Sequence, residues 1–210
     1  MAHLTFNGQR IQMPGNGILD FTPGPTVGGV IDFQADGKIT FDSEPDITGS
    51  QTITLNMYLD TDTSTLNFSI KTPTNDFMLL TYNDPPDWAG TDSVLAVHVK
   101  NSPGVVRQFY DISSYIGEIT TVEIVKTSGA ITSVTVGGDT LTKVGDGYFD
   151  IGASSLKELG GSYASVWDVE IDGSHKWVGY PDGDQDSAWE DTIGSIDGTV
   201  SGTVTTRDLF

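Results

Sequence analysis

The chain has 210 residues, with 29 Asp and Glu against 10 Lys and Arg, a formal charge of −19 and no cysteine. That charge argues against nucleic acid and anionic membrane as partners, since both require a basic surface, and the lack of cysteine excludes disulfide or thiolate–metal stabilisation. With 37% hydrophobic residues, including 4 Trp, 7 Tyr and 9 Phe, the chain can bury a sizeable core within one all-β domain.

Residues 1–29 are expected to be an N-terminal arm or edge strands. Short strands are expected around Leu4–Phe6 and Arg10–Met13, before a Gly/Pro-rich run from Pro14 to Gly29 that punctuates the chain. No basic region followed by an apolar run is present, so no signal peptide is expected. No apolar run approaches the ~20 residues that span a bilayer. The chain is therefore expected to be made in the cytosol.

From Val30 the β pattern is dense. Ile31 and Phe33, then Ile39 and Phe41, alternate with polar residues across Ala35-Asp36-Gly37, the signature of a hairpin. Thr52–Asp60 alternates with Ile53, Leu55, Met57 and Leu59 inward, and Leu66, Phe68 and Ile70 repeat the pattern. Further strands are expected at Phe77–Tyr82, Val94–Lys100, Val105–Ile112, Thr121–Lys126, Ile131–Val136, Thr140–Val144 and Tyr148–Ile151. Ser154–Leu159 is the one expected helical turn. Short strands at this spacing, with almost no helix, imply a β-sandwich or barrel, with two antiparallel sheets of jelly-roll type as the preferred packing.

Tyr163–Tyr180 organises the end of the chain. Trp167, Val169 and Ile171 share one face of a strand, and Asp168, Glu170 and Asp172 share the other. Asp172-Gly173 then marks a turn. Three carboxylates on one face can be a catalytic strip, a calcium site or a solvated face.

Gly37–Phe41 with Ser50–Leu59, Val122–Lys126 with Ser133–Gly138, and Phe149–Gly152 leading to Gly161–Gly173 resemble the concanavalin A-like lectin/glucanase fold in its laminin-G-like branch. Trp189-Glu190-Asp191, Gly194–Val200 and Thr206-Arg207-Asp208 resemble the C-terminal ends of such modules in tailed-phage structural proteins. The resemblance runs from Ile31 onward. It implies a laminin-G-like sandwich over residues 30–176 and a C-terminal tail, 177–210, packed upon it.

Within that resemblance, glucanases carry Glu-x-Asp-x-Glu on one strand, whereas Asp168-x-Glu170-x-Asp172 has the identities exchanged. Same-face neighbours lie ~6.5 Å apart, within the range of paired glycosidase carboxylates. The shorter aspartates would nevertheless withdraw both reacting oxygens by a methylene, and such a displacement costs ~100-fold in rate. A solvated or inter-subunit face is the preferred reading, and no catalytic residue is assigned.

Asp182, Asp184 and Asp186, with Glu190 nearby, alternate in a Gly-containing loop and suit calcium, which takes several oxygen ligands. The EF-hand pattern fails, because Ser187 stands where its glycine belongs. Asp60 and Asp62 form a lesser version. Trp177, Tyr180 and Trp189 bracket the acidic loop, and Trp88 sits in a Pro-rich loop; these four are the candidates for stacking a glycan. Against that stands a core role for Trp167 and Trp177, with Trp189 pinning the tail to the sandwich. No hydrolase elbow or phosphate loop is present.

The expected function is that of a non-enzymatic virion protein of a tailed phage, most naturally a capsid decoration protein on the particle surface. Its expected partners are the major capsid protein or another virion protein, further copies of itself in a homo-oligomer, and a cell-surface glycan. A tail-associated, calcium-dependent carbohydrate-binding adhesin and a glycan-degrading enzyme on the same fold are the alternatives.

Overall fold

A computed structural model of the chain describes residues 3–6, 9–12, 30–33, 37–47, 49–59, 65–71, 75–83, 93–101, 104–127, 130–146, 157–159, 165–178, 188–202 and 204–207. The expected strand at Tyr148–Ile151 lies outside them.

Alternation of apolar and polar residues decides which segments become strands, and two antiparallel sheets result. The first sheet contains β3 (Val30–Phe33), β5 (Gln51–Tyr58), β10 (Ile119–Thr127), β11 (Ala130–Val136), β12 (Asp139–Thr140), β15 (Ser165–Ile171), β16 (His175–Val178) and β19 (Val204–Arg207). Its order is β12-β11-β10-β5-β15-β3-β19, with β16 also paired to β15. The second holds β4 (Lys38–Phe41), β6 (Thr65–Lys71), β7 (Asn75–Asn83), β8 (Ser93–Asn101), β9 (Gly104–Asp111), β13 (Lys143–Asp146), β14 (Lys157–Leu159), β17 (Ala188–Trp189) and β18 (Gly198–Ser201), in the order β13-β9-β8-β7-β6-β14-β4-β18-β17. The chain is thus all-β, an antiparallel two-sheet jelly-roll sandwich.

One core joins the sheets. Ile53, Leu55, Met57, Val122, Ile124, Val169 and Ile171 from the first pack with Ile39, Phe41, Phe77, Leu79, Leu95 and Val97 from the second, all within 1% of complete burial. Each such side chain contributes roughly 1.5–3 kcal/mol through burial. In β8 the outward positions Val94, Ala96 and His98 are buried as well as the inward ones, so this central strand is covered on both faces.

Four sequence expectations are corrected. Segments 31–33 and 39–41 do not form a hairpin: β3 joins β15 and β19, whereas β4 joins β14 and β18 in the opposite sheet. Lys157–Leu159 is not a helical turn but a strand between β4 and β6, where backbone pairing outweighs the helix preference of Lys-Glu-Leu. The segment 177–210 is no tail laid on the sandwich, because β18 extends the second sheet and β19 the first. Finally, β15 does not alternate throughout. A register shift places Trp167 as an extra residue between Val166 and Asp168, opposite Met57 and Asn56. Val166 is therefore buried while Asp168, of the same parity, faces outward.

Among the described residues, β1 (His3–Phe6) and β2 (Gln9–Gln12) pair with each other, with Leu4 opposite Ile11, and with neither sheet.

Candidate functional site

Among the described residues, two regions concentrate polar side chains: the outer face of β10, β5 and β15, and the end of the sandwich where β16 meets residues 188–198.

On the outer face, hydrogen bonds run across three strands. Thr121 Oγ1 donates to Asn56 Oδ1 at 2.6 Å, and Asn56 Nδ2 donates to Asp168 Oδ2 at 3.1 Å. The antiparallel registers place these residues opposite one another, so the chain follows from strand pairing alone. One row along, Glu170 lies opposite Thr54 and Lys176, and Lys176 Nζ reaches Glu170 Oε2 at 3.1 Å. Asp172 is not part of this face. It lies beyond the end of β15 at φ 45°, with Gly173 at φ 67°, the two left-handed positions of a hairpin turn. Ser174 N–H closes that turn on Ile171 O at 2.7 Å. The expected row of three carboxylates is therefore a pair, each with a side-chain partner, followed by a turn residue.

At the end of the sandwich, Asp191 gathers the chain around itself. Its side chain is fully buried. It accepts hydrogen bonds from the backbone N–H groups of Lys176 (3.0 Å), Ile193 (3.2 Å), Gly194 (2.8 Å) and Ile196 (3.2 Å), and from His175 Nδ1 at 2.5 Å. Burial pushes its carboxyl up, but the His175 bond and the backbone donors at Lys176, Gly194 and Ile196 outweigh it and hold the group well below the usual carboxylate range. Trp177 completes the arrangement: its Nε1–H donates to Ile196 O at 2.6 Å, and its ring lies 4.5 Å from that of Phe41 on the other sheet. The His175 ring stacks on that of Trp177 at 5.4 Å.

Among the glycan candidates, Trp177 and Trp189 are 0% and 1% exposed. A ring without a free face cannot stack on a sugar, so both are core residues. Trp88 and Tyr180 lie outside the described residues. Among the calcium candidates, Glu190 is exposed, and Asp182, Asp184 and Asp186 lie outside the described residues, as do Asp60 and Asp62. The neighbouring Asp191 does not suit a cation, because its oxygens already receive N–H groups. Among the described residues, no group of three or more His, Cys, Asp or Glu is arranged to hold a metal ion.

Sequence reasoning missed the pairing of His175 with Asp191. The available signal was Asp191-x-x-Gly194, an aspartate whose side chain caps the turn that follows it. It also missed Lys126, which sits on the inward face of β10, 2% exposed, and donates from Nζ to the carbonyls of Ile47 (2.5 Å) and Gly49 (2.7 Å). Burial lowers the pKa of its ammonium, opposed by the charge of Asp46.

No protein-family model matches the chain, and no curated protein sequence matches it. Among solved structures it is similar to domains LG4-5 of the mouse laminin alpha1 chain, at 16% identity and a TM-score of 0.48. That similarity covers 68% of this chain and 40% of the laminin chain.

Proposed function

We propose that the protein is a non-enzymatic structural module of a tailed-phage virion, attached through its N-terminal hairpin and displaying the sandwich on the particle surface. The observation that carries this reading is the β1–β2 hairpin, which among the described residues pairs with neither sheet of its own chain. A two-stranded hairpin by itself is at best marginally stable in water. Docking on another chain would stabilise such a hairpin, and an arm of this kind suits a protein held on a shell. The capsid is the favoured location, with the major capsid protein as partner.

The outer-face carboxylates support a passive role for β15. Asp168 is held by Asn56, Glu170 by Lys176, and Asp172 belongs to a turn. A charge of −19 suits a module that must stay soluble while displayed at high density. Quantitative mass spectrometry of purified particles from the source of the sequence tests the proposal. It should find the protein in a fixed ratio to the major capsid protein; absence from particles that are otherwise complete would contradict it.

A further inference from the structure

The outer face of β10 and β11 carries an open groove of about 540 Å³, lined by Ile119, Thr121, Glu123, Thr135, Gly137 and Gly138. Its size falls within the range of small-ligand sites. Glu123 lies between Thr54 and Thr135 across the sheet and is half-buried. Among the described residues, no cation or hydrogen-bond donor reaches its carboxylate. The other half-buried carboxylates among the described residues differ in this: Glu170 has Lys176, and Asp168 has Asn56.

A carboxylate partly withdrawn from water interacts most strongly with a charged donor. Thr121 already donates its hydroxyl hydrogen to Asn56, so its oxygen is left to accept, which again favours an N–H-rich ligand. Gly137 and Gly138 adopt φ of 60° and 90° and keep that wall free of side chains. Ile119, 41% exposed, supplies an apolar surface at the groove, suited to the methylenes of a long basic side chain.

We propose that this groove receives a lysine or arginine side chain from a basic segment of a protein partner, with Glu123 as its counter-ion. The net charge of −19 favours approach of such a partner. The inference does not depend on the particle reading and goes beyond it by naming a surface and the chemistry it selects.

The test is an NMR titration of the full ¹⁵N-labelled chain with end-capped Gly-Arg-Gly, end-capped Gly-Gln-Gly and maltose, repeated on Glu123→Gln and on Glu44→Gln, an exposed position that does not line the groove. The arginine peptide should shift the amides of Thr121, Glu123, Thr135, Gly137 and Gly138 and saturate, while the glutamine peptide and maltose leave them in place. Glu123→Gln should weaken binding by about tenfold and Glu44→Gln by less than about twofold. Shifts spread over the surface, and reduced equally in both variants, would show only general attraction to an acidic protein and overturn the proposal. So would saturating maltose shifts that survive Glu123→Gln, which would mark the groove as a site for neutral sugars.

Discussion

His175 donates its Nδ1–H to Asp191 Oδ2 across 2.5 Å, joining a hairpin of the first sheet to the loop that precedes β18 of the second. The ionised carboxylate can only accept, so the bond fixes the hydrogen on Nδ1. Loss of the carboxylate would strand several backbone N–H groups at once. Asp191→Asn turns an amide donor toward some of them and should destabilise the fold by about 3 kcal/mol. For a chain of this size that is a fall in Tm of roughly 6–12 °C, readable by calorimetry.

The same carboxylate sets a pH dependence. Its folded pKa is depressed, so its contribution is complete above the ordinary carboxylate value near ~4 and is lost as pH falls from there toward the folded value. In urea titrations, the stability gap between wild type and Asp191→Asn should be constant from about pH 5 to 7 and close below pH ~4. A gap that widened on acidification would contradict the assignment.

Two glycines near this loop leave no space for a methyl group. A Cβ on Gly194 would meet Asp191 Oδ2, His175 Nδ1 and the Ser174 carbonyl; one on Gly198 would meet Ile39 Cγ2 at 2.5 Å. Gly198→Ala and Gly194→Ala should each cost roughly 1–3 kcal/mol through overpacking. Gly49→Ala, where a Cβ meets nothing within 4 Å, should change the denaturation midpoint little.

Trp177 fills space between the sheets and satisfies the Ile196 carbonyl. Trp177→Ala should cost roughly 3–5 kcal/mol. Trp177→Phe keeps much of the ring but drops the hydrogen bond, and should cost about 1–3 kcal/mol. Equal losses in the two variants, by chemical denaturation, would show that the ring contributes nothing beyond its N–H.

Lys126 should resist acylation in the native protein, while Lys143, whose side chain is 41% exposed, reacts. Peptide mapping after brief treatment with acetic anhydride measures the difference. Rapid modification of Lys126 without unfolding would contradict its inward placement.

Much of the sandwich was legible because alternation is local. Ile53, Leu55 and Met57 announce which face is buried wherever the strand ends up. Pairing was less legible, because alternation does not name a strand's neighbour. Ile31–Phe33 and Ile39–Phe41 therefore read as a hairpin although they lie in opposite sheets. The bulge at Trp167 interrupts the period on which the carboxylate row rested. Trp177 and Trp189 looked available for sugars because they border an acidic run; their burial depends on Phe41 and on residues 196–198, distant contacts that no local pattern records.

The proposed attachment through the β1–β2 hairpin is tested most directly by co-sedimentation with purified particles stripped of the native protein. Wild type and a variant carrying Leu4→Asp and Ile11→Asp, opposed positions of the hairpin, are compared at matched concentration. The variant should keep the thermal transition of the sandwich and lose at least about tenfold in particle binding. Undiminished binding by the variant would contradict attachment through the arm.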